Sequence, residues 1–191
     1  MKITVPDHLG ELTIEQFQAI HNTDDPIEQV AIACGVTREF INYLDLSSLE
    51  KVIEVMGKFD PSDDRVWPLV RTFEHMGVTY GFNPNLSAMT VGEYADLETI
   101  CQDLYANLVA FASVLYRPVV FKRGDAYEIT PYAGVEEVES FRLLRMEVIL
   151  GALAFFLNFA TDCAGTLSQS LMEREGASWV RSGAGMRRFT T

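Results

Sequence analysis

Cysteine is scarce and histidine is scarcer. The three cysteines, Cys34, Cys101 and Cys163, are odd in number and far apart, and each sits in an apolar helical context. No CxxC occurs and no Cys lies near a His, which excludes a disulfide framework and a zinc knuckle and leaves buried reduced thiols in a cytosolic protein as the reading. His8, His21 and His75 are isolated, with no partner at metal-ligand spacing. Gly81-Phe-Asn-Pro-Asn85 has glycine but no Lys-Ser/Thr after it, so it is a turn and not a phosphate loop. The adjacent acids Asp24/Asp25, Asp63/Asp64 and Glu136/Glu137 point apart on any helix or loop, which excludes a ready carboxylate dyad and leaves capping or solvated loops. No nucleophile–base pair is present, so the expectation is a protein that is no enzyme and needs no metal or cofactor.

Positive charge is also in short supply. Fifteen Lys and Arg face 27 Asp and Glu, a formal charge of −12. A basic stripe is the footprint of nucleic-acid binding, so nucleic acid is an unlikely partner. An anionic membrane surface is disfavoured for the same reason. Long apolar runs are absent too. The longest, Val148 to Phe156, falls well short of the roughly 20 residues that span a bilayer. Its flanks, Arg142, Arg145 and Glu147 before and Asp162 after, are charged, so it reads as a helix buried on most faces, in the core or at a subunit interface. The start, MKITVPDHLGEL, has no apolar stretch of the kind a secretory signal needs.

What is present is a real core. Apolar residues make up 48% of the 191 residues and aromatics 11%. A chain of this length buries roughly 70% of its unfolded surface and needs no staple. Lys2 to Val5 alternates and then meets Pro6, which predicts a short edge strand. Thr13-Ile-Glu-Gln16 is a capping box that opens a helix through about Ile20. Asp25 caps and Pro26 starts a second helix that stops at Gly35. Thr37 caps a third through Tyr43, and Asp45 or Ser47 a fourth through Lys58. Residues 1–60 are therefore a helical N-terminal part.

The pattern changes after the polar loop at 59–64. Leu69 to His75 and Val78 to Phe82 predict a hairpin around Met76-Gly77. Thr90 with Glu93 is a second capping box, with a helix through Leu97. A longer helix is predicted from Glu98 to Leu115, with Ile100, Leu104, Leu108 and Phe111 as its buried row. Arg117-Pro118 should break it. Residues 118–121 and 127–130 predict a second hairpin around Lys122-Arg-Gly-Asp125, whose RGD is read as a turn with Gly at a positive φ. Glu136 to Phe141 reads as a short helix and Met146 to Met172 as the longest. Isolated hairpins are marginal in water, so the four strands should share one antiparallel sheet. The fold class is α+β, mostly helical, with helices packed on a small antiparallel sheet built from two β-hairpins. Residues 1–172 form one domain and 173–191 a flexible Arg/Gly-rich tail.

Two sets of residues suggest contacts. In Leu115-Tyr-Arg-Pro118, the Arg is placed to stack and to pair with an acid inside the fold, as a structural anchor. In the tail, Trp179, Arg181, Arg187, Arg188 and Phe189 combine aromatic anchors with basic charge and are the candidate partner-binding residues. The tail arginines Arg174, Arg181, Arg187 and Arg188 oppose the acidic body, which suggests docking on a neighbouring subunit's acidic face or on DNA, with a disordered end as the alternative.

The order ITVPD, TIEQFQ, YGFNPNL with TVGEYADLE, VLYRPV, and YEITPYAG resembles a group of small proteins from tailed bacteriophages, from Ile3 to about Phe159. GEYADLE and LYRP are its most specific blocks. The resemblance implies virion assembly and similarity to tail assembly chaperones, which coat the tape-measure protein while the tail tube polymerises. It implies partners among other phage morphogenesis or virion proteins, a homo-oligomer as an option, and residence in the host cytoplasm during assembly. The alternative it leaves open is a structural component of the mature virion, such as a neck, baseplate, tail or capsid-associated protein. It supplies no catalytic residues.

Overall fold

Local capping chemistry sets the helical N-terminal part. The computed structural model describes residues 3–57, 66–136 and 138–161. Ile14–His21 (α1) starts at Thr13, whose hydroxyl accepts from the Gln16 N–H at 3.1 Å while the Gln16 side chain accepts from the Thr13 N–H at 3.0 Å. Pro26–Cys34 (α2) starts at Asp25 and ends at Gly35, whose φ of 62° suits a residue without a Cβ. Arg38–Asn42 (α3) is capped by Thr37. Leu46–Met56 (α4) opens at Asp45, whose carboxylate accepts from the Ser48 N–H at 2.9 Å. Val30, Ala31, Ile41 and Val52 form the core of these helices.

Val5 packs against that core, and Ile3–Val5 take no strand partner among the described residues. This corrects the predicted edge strand over Lys2–Val5, of which the first residue lies outside the described chain. The apolar side chain that suggested alternation is half-buried against helices instead.

The sheet has four antiparallel strands in the order β1-β2-β3-β4: Thr72–His75 (β1), Val78–Phe82 (β2), Tyr116–Arg123 (β3) and Ala126–Ile129 (β4). The two hairpins do share one sheet, and the protein is a mostly helical α+β fold. Met76 and Gly77 turn the first hairpin with φ of 50° and 76°. Two consecutive positive φ values make the type of turn that matches strand twist. Register pairs Phe73 with Tyr80 and Phe82 with Tyr116. Phe141 stands edge-on to Tyr80, with centroids 4.8 Å apart. It also meets Phe73 and His75. The residue that covers this aromatic face thus belongs to the 3-10 helix Glu139–Leu143.

Three helical boundaries differ from expectation. Val91–Cys101 (α5) runs past Leu97, residues 102–107 form turns, and Leu108–Leu115 (α6) follows, so no single helix spans 98–115. The Gln18 amide from α1 donates to the Tyr105 and Ala106 carbonyls at 3.0 and 2.9 Å. Asp103 accepts from the Ala106 N–H and the Asn107 amide donates to the Asp103 carbonyl, the local bonding that turns need. Every residue of α6 is buried, and Ile100 is buried with it, while Leu104 is half-buried. Arg117 and Pro118 do not merely break the helix but continue into β3, because the residue before proline favours extended backbone. The helix expected over 136–141 starts at Glu139 instead. The Val138 N–H goes to the Ser113 hydroxyl at 2.9 Å.

Residues 146–161 are helical (α7). The Leu12 carbonyl accepts from the Met146 N–H at 2.8 Å, and the Leu144 carbonyl from the Ile14 N–H at 2.9 Å, which ties the start of α7 to the start of α1. Val148 to Leu153 are buried or half-buried. No helix among the described residues is long and apolar enough to cross a membrane. The chain divides into two compact units, Met1–Leu153 and Ala154–Thr191. In the described part of the second, Phe156 is buried while Phe155 and Leu157 are exposed. The boundary expected at residue 172 and the tail lie outside the described residues.

Candidate functional site

Glu93 caps nothing with its side chain. The Thr90 hydroxyl accepts from the Glu93 N–H at 3.2 Å, so half of the expected capping box is present. The carboxylate turns inward instead. Its Oε1 accepts from Arg117 Nη2 and from Asn83 Nδ2, both at 3.0 Å. Glu93 and Arg117 side chains are only 4% and 12% exposed. Burying either charge alone would cost several kcal/mol, roughly what pairing and hydrogen bonding must offset.

Each member of this cluster is held by a different element. Asn83 ends β2. Its N–H donates to the Leu115 carbonyl at 2.8 Å, and its side-chain oxygen accepts from the Asn85 N–H at 3.1 Å. Glu93 lies on α5, and Arg117 on β3 next to the buried Tyr116. Arg117 also sits over the Tyr132 ring, 5.6 Å from its centroid. The Tyr132 hydroxyl donates to Asp96 Oδ2 at 2.5 Å. Asp96 follows Glu93 by three residues on the same face of α5. Burial, then the hydrogen bond to Asp96, pushes the Tyr132 phenol well above its ordinary range, so it stays a donor. Arg117 pairs with Glu93, and the two neutral donors Asn83 and Tyr132 bond to Glu93 and Asp96 in turn.

Arg117 also borders an open cleft of about 550 Å³ walled by Pro118, Pro131, Tyr132, Gly134 and Val138. Its one serine, Ser113, donates to the Val109 carbonyl and accepts from the Val138 N–H, so its hydroxyl is engaged within the fold. No His or Cys is among the lining residues. Thr130 and Glu136 also line it, so the cleft mixes apolar walls with a carboxylate and a guanidinium already paired with Glu93.

The expected anchoring role of Arg117 is what the geometry displays, with Tyr132 as its ring and Glu93 as its acid. Sequence reasoning missed Asn83, Glu93, Asp96 and Tyr132 as its partners. Their signal was there as the blocks YGFNPN, GEYADLE and TPYAG, but nothing in spacing says that they meet. Trp179, Arg181, Arg187, Arg188 and Phe189 lie outside the described residues. Gly124 takes a φ of 60° at the RGD turn, as expected. The three histidines lie apart in separate settings: His8 edges Trp67, His21 stacks on Tyr105, and His75 Nε2 is 3.0 Å from the Ser140 carbonyl. Among the described residues no three His, Cys, Asp or Glu side chains gather as a metal-ligand set. Cys34 and Cys101 are free thiols, half-buried, and burial raises both above the ordinary thiol range. Cys163 lies outside the described residues.

No family model, curated protein or solved structure matches this chain.

Proposed function

We propose that this chain is a non-enzymatic bacteriophage morphogenesis protein, a tail assembly chaperone that holds the tape-measure or tail-tube protein during assembly in the host cytoplasm. The observation that supports the reading most is where the resemblance blocks go. Asn83, Glu93, Asp96, Arg117 and Tyr132 come from four separate blocks and close on one another. Residues engaged in this way define an architecture and leave contact with partners to the surface.

That surface suits a holding role. Tyr43, Leu46, Val91 and Val120 are large apolar side chains more than half exposed. They sit on a chain of net charge −12, which keeps such a surface soluble. Exposed apolar groups on an acidic body are the chemistry of a binder of apolar protein segments. The tail residues Trp179, Arg181, Arg187, Arg188 and Phe189 extend the proposed contact set.

Co-expression with the neighbouring tail genes, followed by pull-down and mass spectrometry of purified mature particles, tests the reading. A chaperone is captured with the tape-measure or tail-tube protein and is absent from mature particles. Stoichiometric copies in the particle would replace it with a permanent virion component. Capture of neither protein, with absence from particles, would remove both.

A further inference from the structure

Residues 66–71 form an irregular strap that leads into β1. Its far end is tied to the sheet. The Tyr116 hydroxyl donates to the Val70 carbonyl and the Phe82 N–H to the Arg71 carbonyl, both at 2.9 Å. Its near end lies on helical elements. The Trp67 ring meets the His8 ring edge-on, with centroids 5.5 Å apart. No residue of the strap is buried: Trp67, Leu69 and Val70 are half-buried, and Val66 is 87% exposed. A segment with so little of itself inside is one that opens at low free energy.

Two buried glycines make room for it. A Cβ on Gly10, in the 3-10 turn Leu9–Glu11, would stand 2.6 Å from the Trp67 ring. A Cβ on Gly151, inside α7, would stand 3.0 Å from the Pro68 carbonyl carbon and 3.3 Å from Leu69 Cα. Neither glycine has a positive φ, so its own backbone does not call for glycine. The helix would be better served by alanine at 151. What both positions serve is the close approach of the strap. The closed strap also has a cost that lifting relieves. His8 Nδ1 is buried and has no hydrogen-bond partner among the described residues. A buried polar atom left unpaired loses what water would give it.

We infer that the strap is a lid poised over Gly10 and Gly151. It lifts as a unit, Trp67 leaving its seat, while the helices and the sheet stay folded. The bonds at Val70 and Arg71 act as the hinge, because they belong to the sheet side and survive the lifting. Trp67 and Pro68 swing free, because what holds them is surface fit over two residues without side chains. Lifting bares Gly10, Gly151 and the His8 ring edge to water, and Nδ1 gains the partner it lacks when the lid is shut. The closed state is kept by the Trp67 contacts alone, so small changes at the seat shift the balance.

Tryptophan fluorescence of the full chain tests it. Trp179→Phe leaves Trp67 as the only tryptophan. In that chain, urea should expose Trp67 at a lower concentration than it removes the helical circular dichroism. Gly151→Ala favours the helix and excludes the strap, so the two probes should part further. Without urea, acrylamide quenching of Trp67 at least doubles, while the circular dichroism midpoint holds or rises. Gly10→Ala, where only a ring must move, raises quenching less. His8→Phe keeps a ring against Trp67 and removes Nδ1, so the Trp67 transition moves to higher urea. Coincident transitions in the Trp179→Phe chain overturn the inference, because the strap then opens only with the whole fold. So does a Gly151→Ala chain whose circular dichroism midpoint falls, which would make the strap part of the core, or one whose Trp67 stays as shielded as before. A His8→Phe chain that exposes Trp67 at lower urea overturns it as well.

Discussion

Arg117 Nη2 donates to Glu93 Oε1 at 3.0 Å, joining β3 to α5 across 24 positions of sequence. The same oxygen takes the Asn83 amide, so one carboxylate atom binds three elements together. Arg117 Nε, by contrast, is buried and has no hydrogen-bond partner. The pair is therefore not fully satisfied, and its worth lies in orientation more than in net stability.

The first prediction concerns that pair. Arg117→Ala leaves Glu93 buried without its cation and should cost about 3–5 kcal/mol. Glu93→Gln keeps an acceptor for Asn83 but leaves Arg117 uncompensated, and should cost less than Arg117→Ala. Urea melts of the two variants measure both. Equal, small losses would mean that water replaces the pair.

Leu108 begins α6 and is 2% exposed. Leu108→Ala should cost about 2–5 kcal/mol, because the surrounding helices leave a cavity in its place. A silent substitution would show that the site collapses freely.

Met76 adopts a φ of 50° at the first hairpin turn, the one non-glycine residue among those described with a left-handed backbone. It is 69% exposed, so its side chain packs little. Met76→Asn places a residue that tolerates this conformation and should raise stability by roughly 0.5–1 kcal/mol. Gly77→Ala should lower it, since its φ is 76°. Thermal melts of both distinguish turn strain from any effect of lost apolar surface.

Asp45 accepts from Ser47, Ser48 and the Ser48 N–H, and these bonds lower its pKa from 3.8 to about 2. A depressed carboxylate stabilises the fold above its unfolded value, and that contribution fades as pH falls through the folded one. The α4 contribution should therefore decline between pH 4 and pH 2. Asp45→Ala should lower stability at neutral pH and flatten the dependence in that window. Acid titration followed by circular dichroism reads both.

Features set by neighbours in sequence were legible in the chain. Thr13 with Gln16, Asp25 with Pro26, Gly35, Thr37 and Asp45 mark the ends of four helices, since a cap is a bond between residues at most four apart. Met76-Gly77 and Gly124 mark two hairpins, since a positive φ is a property of the residue. The shared sheet followed because neither hairpin is stable alone.

What only tertiary structure decided was which of several available partners each polar group takes. Glu93 had a cap within reach and turned instead to Arg117 and Asn83, because a buried guanidinium needs a carboxylate more than an exposed helix end does. Gln18 took the carbonyls of Tyr105 and Ala106 and divided a helix whose apolar spacing ran unbroken. Val5 had the alternation of a strand and went to the helical core, because burial favours whichever apolar surface lies nearest in space. Sequence determines the local bonds that need only a few neighbours. Competition among distant donors, acceptors and apolar surfaces is settled by packing, and here packing assembled Asn83, Glu93, Asp96, Arg117 and Tyr132 into one cluster.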